Sequence, residues 1–292
     1  MRRLTVLILM AFVVLAVPHR ADAWGFDVHK YIMDRAIPLL PVEIRPFFEK
    51  YRVAIVEHAV DPDLWRNAGW EAEPPRHFVD MDAYGAFPFK DLPHDYEQAV
   101  ARYGKAFVEK NGTLPWRTEE MYRKLVEGFT QKRGYAREDI KFFSSIIAHY
   151  TADAHVPFHA ALNYDGQLTQ QWGIHSRFES ELFERYKGTL QIDPKPVVPI
   201  ASARAFIFDT LLASFPHVQT ALDADKAAVA GKDVYDDEYF TLFFSRTKPI
   251  LEQRLSGAIT GVASMITAAW VEAGRLPLPL DVTPTLRKVR KQ

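Results

Sequence analysis

Hydrophobic residues recur every three or four positions along most of the chain, which is the spacing of one face of an α-helix. The longest series predicts a helix from about Thr247 to Ala273, ended by Gly274, with apolar positions at Leu251, Leu255, Ala258, Val262, Met265 and Ala269. Further helices are predicted over Val28 to Leu39, Pro41 to His58, Asp95 to Lys110, Glu119 to Lys132, Glu138 to Ala154, His175 to Tyr186 and Ala201 to Phe215. No segment alternates apolar and polar residues convincingly. The sequence therefore predicts an all-α, multi-helix bundle.

Turn-rich segments separate these helices at Glu73-Pro74-Pro75, from Asn111 to Pro115 and from Lys187 to Pro199. The proline-rich part of the last segment is short enough for a surface loop, so it does not indicate a linker between domains. We predict one domain over residues 24–292.

The N-terminus has the pattern of a secretory signal over residues 1–23. Arg2 and Arg3 precede an apolar run, Leu4 to Val17, and Ala21-Asp22-Ala23 supplies small residues for cleavage. That run is shorter than the roughly 20 residues that span a bilayer, and no later stretch is predicted to be an anchor. The protein is expected to be exported, to the periplasm or outside the cell.

The amino-acid composition excludes several classes of protein and several kinds of metal or catalytic site. A hydrophobic share of 48% is ordinary for a globular protein and excludes a disordered chain. The formal charge of -1 supplies no overall positive field to hold a nucleic acid. Because the chain has no cysteine, it can contain no disulfide, iron–sulfur cluster, thiolate zinc site or cysteine nucleophile. Any metal must bind histidine, carboxylate or backbone groups.

The helix predicted to end near Ala154 carries polar residues on its apolar face. His149 and Asp153 follow Ile146 at three- and four-residue steps, so both should face the core, where an imidazole and a carboxylate need partners. A hydrogen bond in the core would explain one such histidine. The helix ends before Pro157, however, and His159 follows immediately, so three candidate ligands converge.

Other candidate ligands lie along the chain. His175 and Glu179 are four residues apart and share one helical face, although a surface pair would look the same. His29, the Asp61-Pro62-Asp63 turn and His77 add to them. Imidazole and carboxylate without thiolate suit catalytic zinc. Cleavage after Ala23 would also give Trp24 a free amine beside its carbonyl oxygen, a pair that can chelate a metal.

The sequence resembles the bacterial zinc-dependent phospholipase C enzymes and the related three-zinc single-strand nucleases of fungi and plants. Six residues stand at the spacings of that family's central pattern: His149, Tyr150, Asp153, Pro157, His159 and Asn163. Ala152 stands in place of the pattern's usual glycine. The resemblance covers roughly Trp24 to Phe183.

The resemblance implies three zinc ions per chain and nine metal ligands. One ion would be held by Trp24, His29 and Asp153, the second by Asp63, His77, His149 and the bridging Asp153, and the third by His159, His175 and Glu179. Asp61 is the alternative to Asp63. The implied activity is hydrolysis of phosphodiesters by zinc-activated water, with Asp63 as the catalytic residue that orients or deprotonates that water.

The substrate is expected to be a phospholipid, with peripheral membrane contact, and no protein partner is inferred. Glu179 favours the phospholipase branch, as do the 15 residues between His159 and His175. The five-residue step from Trp24 to His29 is instead typical of the nuclease branch, so a nuclease or 3′-nucleotidase acting on single-stranded nucleic acid is the alternative. A non-catalytic zinc-binding helical protein is the second alternative. Four aromatic residues, Phe78, Tyr84, Phe158 and Trp172, could line an acyl-glycerol cleft or a base-stacking shelf.

Overall fold

The computed structural model describes residues 25–131 and 135–278. These residues form helices and no β-strand, so the prediction of an all-α, multi-helix fold is confirmed. The α-helices are α1 (Phe26–Ala36), α2 (Arg45–Lys50), α3 (Arg52–Glu57), α4 (Asp61–Asn67), α5 (Tyr96–Tyr103), α6 (Lys105–Lys110), α7 (Leu114–Phe129), α8 (Ala136–Ala154), α9 (Ile174–Ser176), α10 (Leu182–Tyr186), α11 (Ala203–Ser214), α12 (His217–Val229) and α13 (Asp237–Glu272). A π-helical segment, Arg177–Glu181, joins α9 to α10.

Helix α13 is the centre of the core. It contacts α1, α7, α8 and α12, and all six of its predicted apolar positions are fully buried. The helix begins ten residues before the predicted start, because Asp236 caps it by accepting the Tyr239 N–H at 2.8 Å. Pro249 lies inside the helix, and Gly274 follows its end with φ of 93°.

Helix α13 is also long and apolar enough, by length and composition, to cross a membrane. However, 61% of its most apolar 18-residue window is buried inside the fold. A helix that is apolar on most sides is equally typical of the centre of a globular core.

Several predicted helix bounds are wrong for local reasons. The segment from Pro41 to His58 forms two short helices, α2 and α3, which meet at Tyr51. The segment from Asp95 to Lys110 breaks at Gly104, whose φ of 83° is incompatible with a continuous right-handed helix. Helix α7 starts at Leu114, with Pro115 in its first turn, five residues before the predicted start. Helices α4 and α12 were not predicted from the sequence.

Helix α8 brings the candidate ligands into the core. It packs along α7 and also contacts α1, α3 and α13. Every residue from Ser144 to Ala154 is buried, so the C-terminal half of α8 is surrounded by protein on all sides. His149 and Asp153 lie in this half and are both 0% exposed.

A pH-dependent stability is expected from Asp80, three residues after His77. Burial, followed by repulsion from Asp82, raises the pKa of Asp80 from 3.8 to about 7. A raised carboxyl pKa means that ionisation disfavours the folded state, so this contribution to stability is present at low pH and is lost as pH rises through 7. Between pH 5 and pH 8 the metal-free wild type should therefore lose about 2–3 kcal/mol relative to Asp80→Asn. Denaturant unfolding of both proteins at pH 5 and pH 8 measures this difference, and an equal loss in the wild type and in Asp80→Asn would contradict it.

Candidate metal centre

Three groups of histidine and carboxylate side chains lie together beside the C-terminal half of α8. The groups are His29, Asp63 and His149, then His77, His149 and Asp153, and then His159, His175 and Glu179. In each group the candidate ligand atoms lie within 4.8 Å of one another, and every member is buried. Helices α1, α4 and α8, the segment at His77 and the residues after α8 therefore converge on one place.

The first two groups are fused. His77 Nδ1 lies 3.0 Å from Asp153 Oδ2 and 3.1 Å from His149 Nε2. His29 Nε2 lies 3.4 Å from Asp153 Oδ1. Asp63 reaches the same atoms, since its Oδ1 is 3.8 Å from both His77 Nδ1 and His149 Nε2. Asp153 thus presents one carboxylate oxygen to His29 and the other to His77.

In the third group, His175 and Glu179 lie on consecutive helical segments, and His159 lies in the turn that follows α8. His175 Nε2 lies 3.1 Å from Glu179 Oε2, and His159 Nε2 lies 3.9 Å from the same oxygen. His175 is in α9, whereas Glu179 is in the π-helical segment that follows. Single π-helical turns inside helices are common at functional sites.

Backbone contacts join the third group to the other two. His159 Nδ1 donates to the carbonyl oxygen of His77, and the Val79 N–H donates to the carbonyl oxygen of His159 at 2.9 Å. A similar contact orients His149, whose Nδ1 donates to the Ala59 carbonyl at 2.9 Å. Since Nδ1 carries the proton in both rings, Nε2 of each presents a lone pair to the cluster.

Burial sets the protonation of the cluster. It lowers the pKa of His149 to about 3 and that of His175 to about 4, and it lowers the pKa of His29, His77 and His159 well below the usual value. Neutral imidazole is the form that binds metals. Burial, with repulsion from Asp63 and Glu179, raises the pKa of Asp153.

The donor set fits divalent cations. His29 Nε2, His159 Nε2 and Asp153 Oδ1 are buried, and they make no hydrogen bond with any residue in the described ranges. Leaving such atoms without a partner costs free energy, and a metal ion would supply the partner. A cation would also offset the repulsion among the three carboxylates.

Arg66 brings a positive charge to the same place. Its Nη2 lies 3.1 Å from Asp63 Oδ1, one turn earlier on α4. The guanidinium contributes to the lowered pKa of His149 and of the other four site histidines.

Comparisons with known proteins give structural likenesses only. No family model and no curated protein matches the chain. Solved structures that resemble it include alpha toxin from Clostridium absonum, with a TM-score of 0.48 and 15% identity, and alpha-toxin of an avian strain of Clostridium perfringens, with a TM-score of 0.47 and 13% identity. The matched region covers 87% of this chain and 65% of each toxin chain, so this chain spans less than two thirds of either toxin's length.

The fold brings together eight of the nine residues predicted as ligands. The ninth, Trp24, lies outside the described residues, as does the predicted signal over residues 1–23. The following residue, Gly25, donates its N–H to Ser180 Oγ at 3.1 Å, next to Glu179. A Cβ at position 25 would lie 2.9 Å from that oxygen, so a larger residue there would displace the Ser180 hydroxyl.

Asp63 rather than Asp61 faces the cluster. Asp63 is fully buried among the site histidines, whereas Asp61 pairs with the exposed His58, Nδ1 to Oδ2, at 2.8 Å. His155, which has no counterpart in the family pattern, donates its Nδ1 to the Thr151 carbonyl at 2.8 Å and belongs to no group.

The four aromatic candidates divide into two kinds. Phe158 and Tyr84 are buried, so they belong to the core. Phe78 is partly exposed and Trp172 is 64% exposed, so these two remain available to a ligand.

Sequence reasoning missed two charged residues, Arg66 and Glu73. Arg66 follows Asp63 by three residues, which places both on one helical turn. Glu73 precedes His77 by four residues in a segment that the sequence indicates only as a turn. In both cases the usable signal was the distance in sequence to a candidate ligand.

Proposed function

We propose that this chain is a zinc-dependent phosphodiester hydrolase, and that it acts as a phospholipase C on phospholipids. The observation that carries the proposal is the convergence of five histidines and three carboxylates in three adjoining buried groups, without sulfur. Nitrogen and oxygen ligands of this kind suit zinc in catalytic sites. Zinc, when bound, polarises phosphoryl oxygens and lowers the pKa of a bound water.

Eight described residues and Trp24 would hold three zinc ions. His29, Trp24 and Asp153 would bind the first, Asp63, His77, His149 and Asp153 the second, and His159, His175 and Glu179 the third. His29 stacks on His149 with 3.8 Å between ring centroids, and its Nε2 lies 3.9 Å from Asp63 Oδ2, so the residues proposed for the first two ions contact one another.

In the proposed reaction Asp63 would contact the attacking water, and Arg66 would contact the phosphate group of the substrate. We assign to Asp63 the orientation of the attacking water and the acceptance of its proton. The water oxygen forms a bond to phosphorus, the bond from phosphorus to the leaving oxygen breaks, and the proton passes to the leaving alkoxide. Arg66, held beside Asp63 at 3.1 Å, would attract the phosphoryl oxygens.

Two features support a lipid over a nucleic acid. Glu179 stands where the nuclease branch typically has aspartate, and a short connection of 15 residues separates His159 from His175. A single-strand nuclease is the second candidate, because the exposed Trp172 could stack on a base and because His29 follows Trp24 by five residues. The non-catalytic alternative is less consistent with the third group, whose three protein ligands would leave a fourth position for water. We place the protein outside the cytoplasm, exported by residues 1–23.

Parallel assays on the protein that begins at Trp24 test the proposal. Metal analysis should give about three zinc ions per chain, and phosphatidylcholine vesicles should be hydrolysed faster than single-stranded DNA or RNA. His149→Ala should lose zinc and activity, whereas His58→Ala, which changes an exposed histidine, should keep both. Faster cleavage of nucleic acid than of lipid would support the nuclease alternative. Bound zinc without hydrolysis of either substrate would support the alternative of a non-catalytic zinc-binding protein.

A further inference from the structure

Glu73 is a buried carboxylate directly behind the metal centre. Its side chain is fully buried just before the turn Pro74–Arg76. Oε2 accepts a hydrogen bond from Arg76 Nη1 at 2.7 Å, and Oε1 accepts one from the Tyr150 hydroxyl. The same Oε1 lies 3.7 Å from His77 Nε2. Glu73 therefore has a charged or polar neighbour on each oxygen.

The two ring nitrogens of His77 have different surroundings. Nδ1 lies 3.0 Å from Asp153 and 3.1 Å from His149, so this nitrogen faces the cluster. Nε2 lies beside Glu73 and has no hydrogen bond to the described residues at the present separation. A small rotation of the ring or of the carboxylate would bring Nε2 and Oε1 into hydrogen-bond range.

Carbonyl oxygens orient the neighbouring rings of His149 and His159, which both face the cluster with Nε2. His77 is turned the opposite way, with Nδ1 inward and a carboxylate rather than a carbonyl behind it. A carboxylate is the stronger acceptor, so once it is within hydrogen-bond range it would keep the proton on Nε2 and make Nδ1 a better donor to a metal.

We propose that Glu73 is a positioning residue for the group formed by His77, His149 and Asp153. Glu73 holds the Nε2–H tautomer of His77, and thereby keeps the Nδ1 lone pair directed at the metal. Arg76 and Tyr150 hold the Glu73 carboxylate in place. This inference rests on the proposed metal-dependent function and adds a residue that the ligand set does not contain.

Glu73→Gln tests the role of the charge while conserving size and the hydrogen bond from Tyr150. Zinc release from the loaded protein is followed during titration with a chelator. We expect Glu73→Gln to lose one zinc at a 10- to 100-fold lower chelator concentration than the wild type, the usual effect of changing a residue behind a metal-ligating histidine. Glu71→Gln, at an exposed position two residues earlier in the chain, is the matched control. It removes a carboxylate charge outside the buried groups, so release should stay within about threefold of the wild type.

The outcomes separate the inference from the function it rests on. Equal zinc release by wild type and Glu73→Gln would overturn the role of Glu73 while leaving the hydrolase proposal intact. Equal losses in Glu73→Gln and in the exposed control Glu71→Gln would also overturn the role of Glu73, because the effect would then not depend on the position behind His77. A wild type that binds no zinc would overturn both proposals.

A measurement on the wild type alone covers the case in which Glu73→Gln does not fold. Nitrogen-15 NMR of the zinc-loaded protein should show a protonated Nε2 in His77. A protonated Nδ1 in that ring would contradict the proposed orientation.

Discussion

Replacing Asp153 by asparagine is expected to lower phosphodiester hydrolysis by about a thousandfold and to release zinc from the fused groups. Asp153 places one oxygen 3.4 Å from His29 and the other 3.0 Å from His77, so one carboxylate serves both groups. Asparagine keeps the shape but removes the negative charge that would hold two cations. Metal stabilisation of a transition state is worth several kcal/mol, and about 4 kcal/mol corresponds to this loss of rate. Steady-state kinetics and metal analysis of the same preparation measure both effects.

The matched control is Asp139→Asn, which changes an acidic residue in the first turn of the same helix. It should alter activity by less than about twofold, because position 139 is several turns from the cluster. Metal-free Asp153→Asn should be at least as stable as the metal-free wild type, since burial and neighbouring carboxylates raise the pKa of Asp153. Full activity and full zinc content in Asp153→Asn would contradict the assignment of this residue as the shared ligand.

The candidate site was predictable where its residues lie on a long helix or belong to a family pattern. His149 and Asp153 stand out because they interrupt the apolar face of α8, and the His175–Glu179 spacing indicates one helical face. Periodicity could not identify Arg66, because α4 has only seven residues. The spacing of Glu73 from His77 could have suggested it, but its burial against Tyr150, 77 residues away in the chain, could not be read from the sequence.

The helical class followed from the spacing of apolar residues, but several helix bounds depended on single residues. Gly104 divides one predicted helix in two, and the Asp236 cap starts α13 before its apolar series becomes clear. Half of the buried residues of helix α12 are alanines, which make a weak apolar pattern in the sequence. Its place is set by packing against α13, which becomes visible only in the folded chain.

Among the substitutions considered, removal of the Asp225 side chain on α12 should cause the largest loss of stability. We expect the free energy of unfolding to fall by about 3–5 kcal/mol. Asp225 is 1% exposed and accepts hydrogen bonds from Arg177 Nη2 at 2.9 Å, from Gln171 Nε2 at 2.7 Å and from the Tyr239 hydroxyl. Asp225→Ala would leave the buried Arg177 guanidinium without its carboxylate, and breaking a buried ion pair in this way has a cost of that size. Denaturant unfolding of the metal-free protein measures the loss.

The same change should also weaken zinc binding at the third group. Arg177 begins the π-helical segment between His175 and Glu179, and its Nη1 donates to the Trp172 carbonyl at 2.7 Å. The ion pair with Asp225 therefore fixes the backbone that carries two of the three predicted ligands. Asp223→Ala, at an exposed position of α12, should change the free energy of unfolding by less than about 0.5 kcal/mol. If Asp225→Ala lost stability but released zinc no more readily than Asp223→Ala, the network would support the fold without positioning the metal ligands.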